Sequence, residues 1–322
     1  MSGTNELPVK FRERLQQILP AACFADCWQT FHQTPATSLR VNPLKTDRES
    51  LVAELRAAGF ELAPLSWKDD AFTVPHAQRR ALTESAACGA GRLYIQNPAS
   101  MVPPLVLDPR PDEWILDLTA APGSKTLQLA GMMGSQGRIS AVEAVRSRFF
   151  RLKRNLEAGG ASHVRTYLKD GAQVWRSCPE QFDRVLLDAP CSSEGQFNAV
   201  DPQTYAYWSQ KKIAEMSRKQ RRLLFSAIQC LKPGGVLVYS TCTFAPEENE
   251  GVVARLLEHF GEALRIEAVE LPCGNVQEGL VEWQGKGFDP ELRQAARILP
   301  DGVMEGFFVC RMRKVASTVD SG

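Results

Sequence analysis

The sequence predicts an α/β protein: a doubly wound, mostly parallel seven-stranded sheet preceded by a small α+β module. From Trp114 onward, short apolar runs alternate strictly with helix-length segments, the rhythm of a parallel sheet with helices on both faces. Several of those runs end in polar or small-residue loops, where an open α/β sheet binds its ligands. A length of 322 residues accommodates one large domain plus an accessory piece.

The elements follow in chain order. Phe11 to Phe31 reads as one helical stretch with Leu15, Ile18 and Leu19 on one face. Ser38 to Asn42 is a short strand, and Glu49 to Ala58 a helix closed by Gly59. Residues 1–75 form the accessory module, 76–315 the main domain and 316–322 a disordered tail. In the main domain Trp114–Leu118 is the first strand, followed by a tight loop and a helix from Thr126 to Met133. Arg138–Glu143 is the second strand, with a basic helix to about Ala158; Val164–Asp170 is the third and Phe182–Asp188 the fourth. A long helix spans Trp208 to Leu231. The turn Lys232 to Gly235 introduces the fifth strand, Gly235–Thr241. Glu247 to His259 is a helix whose first-turn acids complement its dipole. Leu264–Glu270 and Gly306–Met312 complete the seven strands.

A hydrophobic fraction of 44% and a formal net charge of +1 are ordinary for a globular protein. The charge is unevenly spread. Arg146, Arg148, Arg151, Lys153 and Arg154 come with no intervening acid, and Lys211, Lys212, Arg218, Lys219, Arg221 and Arg222 enclose only Glu215. Such stripes are either solvated helix faces or phosphate-binding tracks. The nine cysteines contain no C-x-x-C, and four scattered histidines supply no ligand pairs, so neither zinc nor any other metal is expected. No run is long enough to cross a membrane, and Met1 to Leu15 lacks a signal-type apolar stretch. A cytoplasmic monomer away from membranes is the expectation.

The loop Thr119-Ala120-Ala121-Pro122-Gly123-Ser124-Lys125-Thr126 uses small residues that let the backbone approach a ligand, ahead of a helix with unpaired N–H groups. It is not a P-loop, because Ser124 separates Gly123 from Lys125, and it is not G-x-G-x-x-G. Acids end the next three strands: Glu143, Asp170 and Asp188. A lone strand-end acid is ordinarily a cap. Three in succession behind such a loop favour a ligand with ribose hydroxyls and an adenine amine but no phosphate chain. S-adenosylmethionine meets that description.

Cys191, in Asp188-Ala189-Pro190-Cys191-Ser192, and Cys242, in Ser240-Thr241-Cys242-Thr243, each follow a strand of this site. Carbon 5 of cytosine is too electron-poor to attack a methyl sulfonium directly. Adding a thiolate to carbon 6 makes carbon 5 enamine-like, splitting one hard step into two. A carboxyl beside the ring and a second thiol or base for the later elimination complete the requirement. Asp188, Cys191 and Cys242 supply them. A lone cysteine is more often a buried core residue, the reading given to Cys88, Cys178, Cys230, Cys273 and Cys310.

These motifs, in this order, resemble the Sun-type (nucleolar protein/Sun) RNA cytosine-5 methyltransferases, whose fold is the Rossmann-like class I methyltransferase. Leu39-Arg40-Val41-Asn42-Pro43-Leu44-Lys45, Gln96-Asn97-Pro98-Ala99-Ser100-Met101 and Gly306-Phe307-Phe308-Val309 add to the resemblance, which covers roughly residues 36 to 312. It implies that Cys242 is the nucleophile, that Cys191 assists product release and that Asp188 positions the cytosine. It implies that Thr119 to Lys125, Glu143, Asp170 and Asp188 line the S-adenosylmethionine pocket, with Lys125 near the reacting groups and Arg148 bordering the cofactor. The chain departs from the family at Ser124, where a second Gly is usual. A left-handed Ser there costs roughly 1 kcal/mol. Glu143 stands where Asp is commoner, Thr119 where Cys is frequent, and Gln96-Asn97 where Gln-Asp is common.

The resemblance makes RNA the partner, ribosomal RNA ahead of tRNA because the sequence shows no tRNA-docking appendage. Target choice then rests on residues 1–75, the basic stripes or a partner protein. Tyr205, Tyr207 and Trp208 are either base-stacking residues or core or lid residues. Three other readings compete: a DNA cytosine methyltransferase attacking through Cys191, a non-catalytic RNA-binding assembly factor, and a redox protein using the two thiols.

Overall fold

The computed structural model describes residues 6–134, 137–271 and 273–319. Two helices open the chain, α1 (Val9–Ile18) and α2 (Ala21–Thr30). The expected single stretch breaks at Leu19, which is extended because it precedes Pro20. A four-stranded antiparallel sheet follows, from β1 (Thr37–Val41), β2 (Ala63–Leu65), β3 (Lys68–Val74) and β4 (Leu93–Ile95), in the order β2-β3-β1-β4. It holds α3 (Arg48–Ala57), α4 (Arg79–Glu84) and α5 (Ala86–Gly89). Its fourth strand lies beyond residue 75, because Leu39 to Val41 pair with Leu93 to Ile95.

The main sheet takes β5 (Trp114–Asp117), β6 (Arg138–Glu143), β7 (Arg165–Leu168), β8 (Phe182–Asp188), β9 (Leu231–Thr241), β10 (Leu264–Glu267) and β11 (Val276–Glu278). A two-stranded hairpin, β12 (Glu282–Trp283) and β13 (Lys286–Gly287), stands apart; β14 (Ala296–Ile298) and β15 (Phe307–Lys314) rejoin the sheet. All seven expected strands are present, and β11 and β14 extend the sheet to nine. The order is β11-β14-β15-β9-β8-β5-β6-β7, with β10 on β15. From β9 to β7 every pairing is parallel; β10, β11, β14 and β15 are antiparallel additions. The chain steps outward from β5 through β6 to β7, then returns to the other side of β5 as β8. That reversal is the switch point where such sheets open a crevice.

Alternation along β8 explains the two-sided core. Val185 and Leu187 join the layer of α9 (Gln210–Cys230) and α10 (Glu250–Phe260), while Leu186 joins the layer of α6 (Pro98–Leu107), α7 (Ser124–Met133) and α8 (Arg146–Ala158). A third cluster packs Phe11, Leu15 and Phe31 of the opening helices against Phe197, Phe244 and Trp283. Tyr205 and Trp208 are half-buried and pack against this cluster; Tyr207 is 86% exposed.

Helix α10 begins at Glu250, later than expected, so Glu247 and Glu248 precede it. Glu250 is the acid of its first turn and, fully buried, also pairs with Arg297 at 2.5 Å. At the other end of the chain, Thr318 is bonded to Gln229 and Glu180, so this part of the expected tail is anchored. Residues 320–322 of that tail lie outside the described residues.

Candidate active site

At the carboxyl ends of the parallel strands lies a cleft of about 640 Å³. The loop after β5 shapes one wall. Gly123 carries the left-handed turn (φ 108°), and a Cβ there would come within 3.1 Å of Leu152. Ser124 is the first residue of α7 and has no positive φ, so the expected strain at Ser124 is absent: the left-handed position is the glycine before it. Thr119 Oγ1 donates to the Asp188 carbonyl at 2.8 Å and ties this loop to the end of β8.

Glu143, buried at the end of β6, accepts from the Val145 N–H at 2.8 Å. Its other oxygen lies 3.8 Å from Arg148, which donates to the Ala121 carbonyl. Asp170 caps the turn after β7 through the Ala172 N–H and remains exposed. Thr119, Ala121, Pro122, Ser124, Lys125, Glu143, Arg148, Asp170 and Asp188 all border the cleft. Ala120 and Gly123 are not on its wall. Ala120 is buried with its N–H on Val142, and Gly123 packs on Leu152.

Lys125 and Asp188 meet at 2.8 Å, with the lysine almost wholly buried. The ammonium also donates to Ser100 Oγ at 2.6 Å and lies 5.5 Å above the Phe307 ring. Asp188 Oδ1 accepts from Ser240 at 2.8 Å. Beneath this pair, fully buried Asp117 accepts from Thr126, and burial pushes its carboxyl up to about 7.

The two cysteine loops converge beside Asp188. Cys191 Sγ stands 3.2 Å from Cys242 Sγ, and Ser193 Oγ is 3.7 Å from the latter. Contact with Cys242, then burial, raises the Cys191 thiol well above its ordinary value. Cys191 is therefore protonated at neutral pH.

Over the same carboxyl-end region a family model described as 16S rRNA methyltransferase RsmB/F matches residues 104–313. The chain belongs to the Sun-type family of RNA cytosine-5 methyltransferases. A second model, the N-terminal domain of 16S rRNA methyltransferase RsmF, matches residues 7–98 of this Sun-type chain. A tRNA (cytosine(49)-C(5))-methyltransferase of Pyrococcus abyssi is 40% identical over 89% of the chain and 91% of its own length. Ribosomal RNA small subunit methyltransferase F of Vibrio vulnificus is 37% identical over 98% of the chain. The Sun-type chain spans only 66% of that relative's length. A solved methyltransferase homologue from Pyrococcus horikoshii superposes with a TM-score of 0.78 at 29% identity, over 96% of this chain and 100% of the other. The architecture is that of a class I methyltransferase.

Several site residues of this Sun-type chain were not legible beforehand. Buried Glu194 accepts from Trp208 Nε1 at 2.8 Å, Thr243 Oγ1 at 3.0 Å and the Phe244 N–H at 3.2 Å. Glu248 accepts from the Ser192 N–H at 3.0 Å and Gln220 at 2.8 Å; burial pushes it up to about 7. Together they clamp the Cys191 loop to the Cys242 loop. Ser192 Oγ to Thr243 Oγ1, at 2.8 Å, adds a direct tie. Only tertiary folding brings these acids to the site. Both basic stripes lie on exposed faces, of α8 and α9, and Lys219 of the second borders the cleft. Among the described residues no cluster fit to hold a metal occurs, and no helix is long and apolar enough to cross a membrane.

Proposed function

We propose that this chain methylates carbon 5 of a cytosine in RNA through a covalent Cys242 adduct, with S-adenosylmethionine as methyl donor. The observation that carries the proposal is the 3.2 Å approach of Cys191 and Cys242 beside the Lys125–Asp188 pair. The cleft lies within the volume range of small-molecule sites. Glu143 fits a ribose diol, Asp170 an adenine amine, and the Thr119–Lys125 loop the remaining edge; Arg148 holds that loop through Ala121. When bound, S-adenosylmethionine supplies an electrophilic methyl group.

The chain's own residues do the rest. Cys242 adds to carbon 6 as thiolate, and Asp188 accepts from the exocyclic amine of the base. Lys125 pairs with Asp188 and fixes its position. Cys191 stays protonated while Cys242 is a free sulfur, because their contact is the largest cause of its raised value. Once Cys242 is a thioether on carbon 6, that cause is gone. Cys191 then gives up its proton more readily and serves as the base that removes the carbon-5 proton, releasing Cys242. A base extruded from a helix or taken from single-stranded RNA suits the cleft.

Ribosomal RNA is the favoured substrate, because family models named for 16S rRNA enzymes cover both the N-terminal and the main part of the chain. The tRNA reading is supported by the 40% identity to a tRNA enzyme that the chain matches over 91% of its length. Residues 1–75, with the β4 strand their sheet recruits, are the proposed accessory RNA contact of a cytoplasmic monomer. Bisulfite sequencing of RNA from a deletion strain separates the substrates: a protected cytosine lost from ribosomal RNA supports the first, one lost from tRNA the second. Loss from neither overturns both.

A further inference from the structure

Besides Glu143, Asp170 and Asp188, the cleft contains a fourth carboxyl, for which this mechanism has no task. Glu305 lies between β14 and β15, half-buried on the cleft wall with Gln196, Lys125 and Cys242. Its backbone is locked in place. A Cβ on Gly306 would strike the Phe244 ring at 1.9 Å, and one on Gly195 would lie 2.0 Å from the Gly306 carbonyl and 3.0 Å from that of Cys242. The Gly195 N–H donates to the Cys242 carbonyl at 2.9 Å. The loops bearing Cys191, Cys242 and Glu305 therefore interlock backbone against backbone, and the Glu305 N–H meets Asn97 Oδ1 at 3.4 Å.

Asp188 and Glu305 differ in their partners. Asp188 has one oxygen on the Lys125 ammonium and the other on the Ser240 hydroxyl, so both oxygens serve as acceptors. Glu305 has no ion-pair partner among the described residues. Burial pushes it up to about 7, against the hydrogen bond of Gln196 and the charge of Lys125. Tyr94, Lys125, Glu143, Arg148, Asp170, Asp188, Lys219 and the two thiols are the other charged and titratable groups on the cleft wall. Carboxyls with such different partners can divide the work of acceptor and acid.

We propose that Glu305 is a catalytic acid of this site, donating its proton to ring N3 of the target cytosine as Cys242 adds to carbon 6. The inference rests on the cytosine-5 reading above. As the sulfur–carbon 6 bond forms, the carbon 5–carbon 6 π pair moves to carbon 4–carbon 5, and the carbon 4–N3 π pair moves onto N3. Both Asp188 oxygens are already engaged as acceptors. Glu305 supplies the N3 proton and becomes the carboxylate. After carbon 5 loses its proton and the sulfur leaves, N3 returns the proton to Glu305.

The test compares full-length Glu305→Gln, Glu305→Asp and the native enzyme on target-bearing RNA, with kcat measured from pH 6 to 9. Glu305→Gln is expected to lower kcat about 10²-fold, with KM, S-adenosylmethionine affinity and Tm unchanged. It should also abolish the native decline in rate as pH rises through about 7, where the carboxyl loses its proton. Glu305→Asp should restore part of kcat and bring the decline back. Native kcat with an unchanged pH profile in Glu305→Gln overturns the assignment, as does a loss that tracks Tm in every variant. Failure of the parent reading looks different: the native enzyme would then form no Cys242-dependent RNA adduct at all.

Discussion

The molecule holds two close pairs of thiols. Cys191 and Cys242 approach to 3.2 Å, and Cys178 and Cys230 to 3.9 Å. Contact with its partner raises Cys191 in one pair and Cys230 in the other, while Cys178 is lowered by contact with Cys230. Proximity therefore does not separate them; surroundings do. Cys230 is fully buried in the α9 layer, and half-buried Cys178 donates to the Val174 carbonyl. The first pair sits at two strand ends on a cleft wall, beside an ion pair and the Ser193 hydroxyl. A thiol couple becomes a candidate for covalent catalysis when a substrate can reach it and a fixed carboxylate can orient that substrate.

Substitutions at each pair sharpen this contrast. Cys242→Ala is expected to reduce methyl transfer roughly 10⁴-fold or more, with S-adenosylmethionine affinity by calorimetry unchanged. Asp188→Asn, which leaves Lys125 without its partner, is expected to lower kcat about 10²-fold. A near-native rate in either variant breaks the contrast.

Smaller effects concern the clamp. Burial pushes Glu248 up to about 7 from an ordinary 4.5. The stability tied to its protonated form is fully present below about 4.5 and is lost as pH rises through about 7. The fall in native Tm between pH 6 and 8 should therefore shrink in Glu248→Gln, read by thermal melts at both values. At the second thiol pair, Cys230→Ala should cost roughly 1 kcal/mol of stability through the small cavity left. Methyl transfer should stay at the native rate, and a loss as large as that of Cys242→Ala would erase the distinction between the pairs.

Four of the five parallel strands were legible because each is an apolar run buried on both faces and bounded by polar or turn residues; the edge strand Arg165–Leu168 is mostly exposed. Val276–Glu278 and Ala296–Ile298 were not, being only three residues long and defined by antiparallel pairing. The thiols, Asp188 and Lys125 stood out because their chemistry sits directly after strands. Glu194, Glu248 and Glu305 carry no such local signal. Glu248 reads on paper like a helix-start acid, and Glu305 like a turn residue. Only the packing of distant loops buries them. Ser124 shows the converse: its assumed strain depended on a backbone angle that the fold assigns to Gly123.

The central claim is that Cys242 attacks and Cys191 releases. The direct measurement is the denaturation-resistant protein–RNA adduct formed by Cys191→Ala, Cys242→Ala and the double variant on target-bearing RNA with S-adenosylmethionine. The account predicts an accumulated adduct in Cys191→Ala and none in the other two. An adduct in Cys242→Ala, with none in Cys191→Ala, would contradict it and make Cys191 the nucleophile.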